Sequence, residues 1–234
     1  SRGLGDVYKR QYSDTLSNAR AVAQLTERIN DGIIVIRHSI RDKIVDNSTT
    51  MTMPLNEKGV EAARFLGNAL PDDRKYSIFH SPVFRCKETA MYLAEGLGKK
   101  TRLHKRDYLG CDYILNDEAV FQQYAKLGSE GFISAWFGKR VDKDILKDVE
   151  VATKGLLDPL FKESKDGVQI HVTHDWNILL LLGLMYDMEK VEKPWPGFLS
   201  GVMLERSDEG FFLYHEKNRK KIDDLFFKIP APQF

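Results

Sequence analysis

Short runs of strand-forming residues alternate with longer segments of helical periodicity along the chain. Residues 33–36 form a continuous β-branched run, and residues 76–80 and 168–172 form two further short runs. Runs of this length and composition are typical of strands buried on both faces of a parallel sheet. Polar residues follow each run, so the pattern predicts polar side chains at the carboxyl ends of three strands.

Helical patterns lie before, between and after these runs. Residues 16–29 carry apolar side chains at helical spacing, and Asn56 is a candidate N-cap for a second helix. Ser81 and Pro82 predict the N-cap and first residue of a third helix, because Ser caps helices and Pro suits their first turn. Residues 176–186 are apolar nearly all round, which predicts a buried helix against the sheet.

The order of these elements predicts an α/β fold. Residues 201–204 and 211–214 flank a Ser-Asp-Glu-Gly turn and predict a late hairpin. Strands that alternate with helices favour a three-layer structure, in which a mostly parallel sheet carries helices on both faces. A helical or irregular cap insertion is expected at about residues 107–150.

The length of 234 residues favours one main domain. We expect an N-terminal segment and helix over residues 1–31, the α/β domain over residues 32–215 and a C-terminal tail over residues 216–234. The chain does not begin with Met, which leaves open whether its first residues are native and whether a signal peptide preceded them. Because no apolar signal core lies near the start, the sequence favours a cytoplasmic protein.

Charge and composition limit the expected partners. Lys and Arg number 35 against 34 Asp and Glu, a net charge of +1, whereas general nucleic-acid binders carry a clear basic excess. The longest apolar run, residues 178–184, is far shorter than the ~20 residues that span a bilayer. We therefore expect no nucleic-acid or membrane partner. Cys86 and Cys111 lack the sequence neighbours of a metal site, so no metal is expected either.

Basic residues follow the first predicted strand. Arg37 and Arg41 lie on either side of His38 within five residues. A guanidinium group presents a fixed fork of donors that suits phosphate oxygens. Taken alone, this string is more often a basic surface loop.

Two later segments add residues of the same kinds. Arg85 lies one turn into the third predicted helix, and His174 follows the third predicted strand. Taken singly, each has an ordinary interpretation, as a surface arginine beside Glu88 and as a hydrogen-bonded core histidine. Because the carboxyl ends of parallel strands meet at one edge of the sheet, we expect both groups in one crevice with the first basic segment.

These segments resemble, in the same order, the motifs of the histidine phosphatase superfamily, which also contains the cofactor-dependent phosphoglycerate mutases. The resemblance covers the chain from about Gly32 to Tyr214 and implies the three-layer α/β fold of that family. The matching segments are Arg37-His38-Ser39-Ile40-Arg41, Pro54-Leu55-Asn56-Glu57-Lys58-Gly59, Ser81-Pro82-Val83-Phe84-Arg85-Cys86-Lys87-Glu88-Thr89-Ala90 and Thr173-His174-Asp175.

The resemblance implies a role for each site residue. His38 is implied to be the nucleophile that forms a phosphohistidine, while Arg37, Arg41, Arg85 and His174 hold the transferred group. The residue chemistry agrees, because neighbouring guanidinium groups disfavour a cationic imidazole, lower its pKa and leave a neutral nitrogen able to attack phosphorus. This scheme requires no metal, and no cofactor is expected.

Ser39 departs from the family pattern, which usually has glycine at this position. The departure puts in doubt whether the backbone here adopts a conformation reserved for glycine.

The proton donor is left with several candidates. Asp175 fits the acid-phosphatase branch, which uses an aspartate directly after the second histidine. The mutase-like branch uses a glutamate after the Arg85 helix, where this chain has no clear match, and Asp107, Asp112 and Glu118 remain alternatives.

Asp175 raises a physical difficulty as a donor. A helix N-terminus and several arginines lower the pKa of a carboxyl group and keep it ionised at neutral pH. Bound phosphate dianion raises that pKa again, so the sequence predicts an activity optimum on the acid side of neutral. In the alternative interpretation, Asp175 only caps the helix that follows His174.

Substrate selection is expected in the segment 107–150. Its aromatic residues either line a pocket or form a small core of the cap itself, and the second interpretation is favoured. The basic cluster at residues 218–221 is interpreted as a solvated surface, because acidic residues follow it.

The sequence favours a phosphomonoester hydrolase that acts through a phosphohistidine on a small phosphorylated molecule and releases inorganic phosphate. Two alternatives remain: a phosphoglycerate mutase-like phosphoryl transferase and a noncatalytic protein that binds a phosphorylated ligand. The natural substrate and the oligomeric state are left open.

Overall fold

A seven-stranded sheet organises the protein, whose computed structural model describes residues 4–163, 166–191 and 195–222. The strands lie in the order β3-β2-β4-β1-β5-β6-β7. The first four are parallel to one another, and β5, β6 and β7 continue the sheet antiparallel. Their bounds are β1 Gly32–Arg37, β2 Tyr76–His80, β3 Leu103–Lys105, β4 Val168–Thr173, β5 Gly201–Ser207, β6 Gly210–His215 and β7 Asn218–Ile222.

Helices cover both faces of the sheet. On β1, Ile34 and Ile36 belong to the core shared with the first three helices, whereas Ile33 and Val35 belong to the core shared with the last three. This alternation follows from the two-residue period of a strand, and it produces the predicted three-layer α/β fold. The helices are α1 Leu4–Thr26, α2 Glu57–Ala69, α3 Phe84–Leu97, α4 Asp117–Phe137, α5 Val149–Lys162 and α6 Asp175–Leu182.

The predicted start of α2 is confirmed, but that of α3 is wrong. The Asn56 side chain accepts a hydrogen bond from the Gly59 amide and caps α2. Helix α3 begins at Phe84, and its N-cap position is occupied by Val83 without a side-chain cap. The hydroxyl of Ser81 accepts from the amide of Val83, which precedes the helix, and lies 2.9 Å from His174 Nε2.

The C-terminal part differs from the predicted tail. Residues 218–222 form β7, which pairs with β6 and buries Ile222. A strand forms there because backbone hydrogen bonds along β6 compensate for the polar sequence. Residues 218–221 are exposed, and residues 223–234 lie outside the described part of the chain.

The segment 107–150 contains a short 3-10 turn, Asp107–Leu109, and helix α4. Gly128 interrupts α4 with a φ of 70°, a left-handed conformation that glycine adopts without steric cost. Tyr113, Phe132 and Trp136 are almost fully buried. Phe132 stacks on Trp176 of α6 with ring centroids 5.2 Å apart. Most of these aromatic residues therefore build a core between the segment and α6.

Among the described helices, none combines the length and apolar character that crossing a membrane requires.

Close backbone packing fixes the loop after β1 against α2. A Cβ atom on Gly59 would lie 2.0 Å from the carbonyl oxygen of Ile40, and the Asn56 amide donates to that same oxygen. Only glycine fits at this contact, so the loop that carries Arg41 is held by the first turn of α2.

We expect Gly59→Ala to lower the free energy of unfolding by about 1–3 kcal/mol, since the added methyl group must displace backbone. Gly155→Ala on α5 is the matched control, because a Cβ there meets no atom within 4 Å. It is expected to raise the stability by roughly 0.5–1 kcal/mol through helix propensity alone. Urea unfolding of both variants measures the difference, and equal effects would contradict the proposed packing.

Candidate active site

The two histidines follow neighbouring strands at the same edge of the sheet. Arg37, the last residue of β1, is in register with Thr173, the last residue of β4. The His38 amide donates to the Thr173 carbonyl at 2.9 Å, which extends the ladder by one more bond. The imidazole rings of His38 and His174 consequently lie with their centroids 5.7 Å apart and at 67° to each other.

Arg85 links the two imidazoles. Its Nε donates to His38 Nε2 at 2.9 Å, and its Nη2 donates to His174 Nδ1 at 3.1 Å. Its Nη1 donates to the Thr50 carbonyl at 2.6 Å. One guanidinium group, only 7% exposed, therefore fixes both rings and the loop before α2.

These contacts select a tautomer for each ring. His38 Nδ1 lies 2.8 Å from the Ser39 carbonyl and must carry the proton, which leaves Nε2 unprotonated and able to accept the hydrogen bond from Arg85. His174 accepts from Arg85 at Nδ1, so its Nε2 carries the proton and donates to Ser81 Oγ at 2.9 Å. Both rings are neutral in this arrangement.

Electrostatics favours the same neutral state. Burial lowers the pKa of His38 well below its usual 6.5, and the charges of Arg37 and Arg85 lower it further. Burial and the charge of Arg85 likewise lower the pKa of His174. His38 Nε2 is therefore an unprotonated nitrogen at neutral pH, as a nucleophile requires.

Asp175 is held by three donors. Its Oδ2 pairs with Arg37 Nη2 at 2.9 Å and accepts from Trp195 Nε1 at 2.9 Å, while its Oδ1 accepts from the Trp176 amide at 3.0 Å. Burial alone would raise the pKa of Asp175, but the charge of Arg37 and the Trp195 hydrogen bond outweigh it and lower the pKa. The carboxylate is therefore ionised at neutral pH, as the sequence predicted.

Arg37 and Arg41 complete the positive group. Arg37 stacks over Phe198, with its guanidinium carbon 4.3 Å from the ring centroid, and donates to the Pro196 carbonyl. Burial and the charges of neighbouring arginines lower the pKa of Arg41 to about 10. Arg41 donates to the Asp42 carbonyl at 2.7 Å, and its charge contributes to the lowered pKa of His174. The site thus combines the charges of three arginines, which suits the binding of a phosphoryl group.

The alternative donors lie away from this cluster. The Asp107 side chain is 86% exposed and pairs with Lys105, and that of Asp112 is 61% exposed and pairs with Lys147. Glu118 is also exposed and lies in the first turn of α4. Of the four candidate carboxylates, the structure brings only Asp175 to the imidazoles.

Ser39 has an ordinary backbone conformation. Its hydroxyl donates to the Gly59 carbonyl at 2.7 Å, and its amide donates to Thr89 Oγ1 at 3.0 Å. The position therefore does not need glycine, and the hydroxyl ties the loop to α2. The described non-glycine residues with positive φ are Lys139, Val191, Leu199 and Glu216.

Asn177 anchors the end of β4. Its amide nitrogen donates to the carbonyls of Leu109 and Gly110 and to Thr173 Oγ1. Thr173 Oγ1 in turn donates to the Leu109 carbonyl at 2.6 Å. The 3-10 turn after β3 is therefore hydrogen-bonded to residues on either side of His174 and Asp175.

Sequence reasoning missed the residues 195–198 and the role of Ser81 toward His174. Trp195 contacts Asp175, and Phe198 lies 5.6 Å from the His38 ring between centroids. The only available signal was a pair of aromatic residues in a Trp-Pro-Gly-Phe segment before β5. Within the described ranges, no group of three His, Cys, Asp or Glu side chains is arranged to hold a metal ion.

Comparisons with known proteins agree with this architecture. The sequence model of the histidine phosphatase superfamily (branch 1) matches residues 33–109. No curated protein sequence matches the chain.

Several solved structures share the fold at low sequence identity. Bacillus stearothermophilus YhfR is 17% identical, with a TM-score of 0.58, and the match covers 82% of this chain and 99% of that one. A mutant phosphoserine phosphatase from Entamoeba histolytica, in complex with phosphoserine, is 14% identical, with a TM-score of 0.55 and coverage of 83% and 98%. A putative α-ribazole-5'-phosphate phosphatase from Escherichia coli is 13% identical, with a TM-score of 0.55 and coverage of 82% and 98%.

The chain is thus similar to the histidine phosphatase superfamily in sequence over residues 33–109 and in fold over most of its length, which confirms the resemblance seen in its motifs.

Proposed function

We propose that the protein is a phosphomonoester hydrolase that forms a phosphohistidine at His38. The observation that carries this proposal is the single guanidinium of Arg85 bound to both His38 Nε2 and His174 Nδ1. Groups that a phosphoryl oxygen would contact are thereby gathered around an unprotonated nitrogen. Phosphoryl transfer depends mainly on such positioning and on neutralising the charge of the oxygens.

In the first step, His38 Nε2 attacks phosphorus, and the bond from phosphorus to the leaving oxygen breaks. Before this attack, the bound phosphoryl oxygens accept the Arg85 N–H groups in place of the imidazole nitrogens, which frees the lone pair of His38 Nε2. Arg37 and Arg41 supply further positive charge. The Nδ1 proton of His38 remains bound to the Ser39 carbonyl, which stabilises the cationic phosphoimidazole. In the second step, water attacks phosphorus, and the N–P bond breaks to release inorganic phosphate.

Asp175 is proposed to donate a proton to the leaving oxygen and to take one from the attacking water. It is the candidate carboxylate in contact with the cluster, through Arg37. Its pKa is lowered while it faces Arg37 and Trp195 alone. A bound phosphate dianion competes for Arg37 and repels the carboxylate, and both effects raise the pKa toward that of a usable acid.

We favour hydrolysis over a mutase reaction because the chain has no clear match to the glutamate that the mutase-like branch uses after the Arg85 helix. One structural neighbour, the mutant phosphoserine phosphatase, was solved in complex with phosphoserine, which supports a small phosphorylated substrate here. A small phosphoester is therefore the proposed substrate class. If the protein only bound a phosphorylated ligand, the unprotonated Nε2 of His38 would have no chemical role.

His38→Gln is expected to abolish both turnover and the acid-labile phosphoenzyme, because the amide offers no nucleophilic nitrogen. Arg85→Ala is expected to lower kcat/KM for 4-nitrophenyl phosphate by a factor of about 100 or more, through lost transition-state contacts. Lys87→Ala on the exposed face of α3 is the control and should retain activity. Full activity in His38→Gln, or no turnover by the native protein, would refute the mechanism.

The pH dependence tests the proton donor. Asp175 must be protonated to donate, so kcat for an alkyl phosphate is expected to fall as pH rises above the pKa of Asp175 in the complex. His38 sets no limit at mildly acidic pH, because its pKa lies well below 6.5. The expected optimum is therefore below pH 7, as measured by phosphate release across a buffer series.

Asp175→Asn is expected to lower kcat/KM, which reports formation of the phosphoenzyme, far more for alkyl phosphates than for 4-nitrophenyl phosphate, whose leaving group needs no proton. Asp107→Asn and Asp112→Asn are matched controls, because their carboxylates are exposed and paired with lysines. An equal loss of kcat/KM on both substrates, or a native rate that is flat through about pH 8, would remove Asp175 as the donor.

A further inference from the structure

We propose that the leaving group of the substrate is an uncharged, ring-bearing alcohol, and that its ring binds in a cavity between α1 and residues 195–198. The inference rests on the proposed hydrolase function and names the substrate class of that same site. It places substrate selection on α1 rather than on the segment 107–150, where the sequence analysis expected it.

The cavity has a volume of about 320 Å³, enough for a group of one ring or two fused rings. One wall is the first half of α1, and the other is the segment before β5. Its lining includes Gln11 and Asn18 of α1, together with Arg37, Trp195, Pro196 and Phe198.

Two lining residues connect this cavity to the chemistry. Arg37 and Trp195 both bind Oδ2 of Asp175, the oxygen that faces them. Phe198, a third lining residue, lies 5.6 Å from the His38 ring between centroids. The cavity therefore borders the two residues that hold Asp175, and we place in it the rest of an alcohol whose oxygen receives its proton from Asp175.

The walls of the cavity favour a flat, weakly polar occupant. Trp195, Pro196 and Phe198 present ring surfaces, and aromatic rings bind other rings by offset or edge contacts. Trp195 and Phe198 are only partly buried, so part of their surface is accessible.

The charges of the cavity balance. Arg37 is paired with Asp175, and Arg10 and Asp14 lie one helical turn apart with opposite charges on α1. Among the described lining residues, no excess charge remains to attract an ionic leaving group, because Arg37 faces Asp175 or the phosphoryl group. This balance favours an uncharged alcohol over an amino acid or a second phosphate.

The two walls are fixed relative to each other. The Asn18 side chain donates to the Phe198 carbonyl at 3.0 Å. A Cβ atom on Gly197 would lie 2.6 Å from Asn18 Nδ2, so the segment packs directly on α1. By contrast, Phe132 and Trp136 of α4 are buried in the core and leave little surface for a ligand. A preformed cavity binds a rigid ring with little loss of conformational entropy.

A larger side chain on α1 that fills the cavity tests this inference. Gln11 is partly buried and lines the cavity, whereas Ser13 is exposed on the same helix and does not. Gln11→Trp is expected to lower the ratio of kcat/KM for 1-naphthyl phosphate to that for glycerol 2-phosphate by about tenfold or more, mainly through KM. Ser13→Trp, the matched control, should leave this ratio unchanged.

A binding measurement separates this inference from the proposed function. Equilibrium dialysis of 1-naphthol is expected to show saturable binding to the native protein and to Ser13→Trp, and about tenfold weaker binding to Gln11→Trp. If the native protein hydrolyses neither phosphate yet binds 1-naphthol in this pattern, the hydrolase proposal fails while the ring site stands. An unchanged ratio in Gln11→Trp, equal losses on both phosphates, or 1-naphthol binding indifferent to Gln11→Trp would overturn the ring site.

Discussion

The contact on which the site depends is the buried guanidinium of Arg85 between two imidazoles. A charged group with 7% exposure loses most of its hydration, and it is stable only where acceptors replace water. His38, His174 and the Thr50 carbonyl are those acceptors. The cation in turn keeps both imidazoles neutral, because a proton on either ring would meet a like charge at hydrogen-bond distance. The contact with Arg85 thus sets both the positions of the two imidazoles and their neutral protonation state.

The sheet makes this contact possible by placing the two histidines in register. Arg37 pairs with Thr173 at the ends of β1 and β4, so the residues that follow leave the sheet side by side. The loops beyond the sheet are then fixed by short-range packing rather than by regular structure. Gly59 permits the close approach of the Ile40 carbonyl, and Asn177 holds the turn after β3. Strand register sets the position of the backbone, and these contacts set the direction of the side chains.

The partners that orient Asp175 also lower its pKa, which opposes its proposed role as a proton donor. Arg37 and Trp195 orient the carboxylate, but the same partners lower its pKa and make it a poor acid. A phosphate dianion held by the arginines changes that balance, since it neutralises Arg37 and adds a negative charge nearby. The protonation state of Asp175, the proposed donor, is thereby coupled to occupancy of the proposed phosphate site. Trp195 also reaches the cavity beside α1, so the residue that orients the donor borders the proposed ring site.

The sequence alone determined the central strands, the three-layer α/β class and the residues His38, His174 and Arg85, because these follow from local periodicity and from motifs next to predicted strand ends. It did not determine β7, where pairing with β6 compensates for a polar sequence, or the use of Ser81 by His174 instead of by a helix. The sequence also did not predict that α1 packs beside residues 195–198, since some 180 residues separate the two segments. Their contact depends on how both pack against the completed sheet, and no local pattern encodes such a long-range approach. Tertiary structure therefore decided which carboxylate joins the imidazoles and which surface lies beside them.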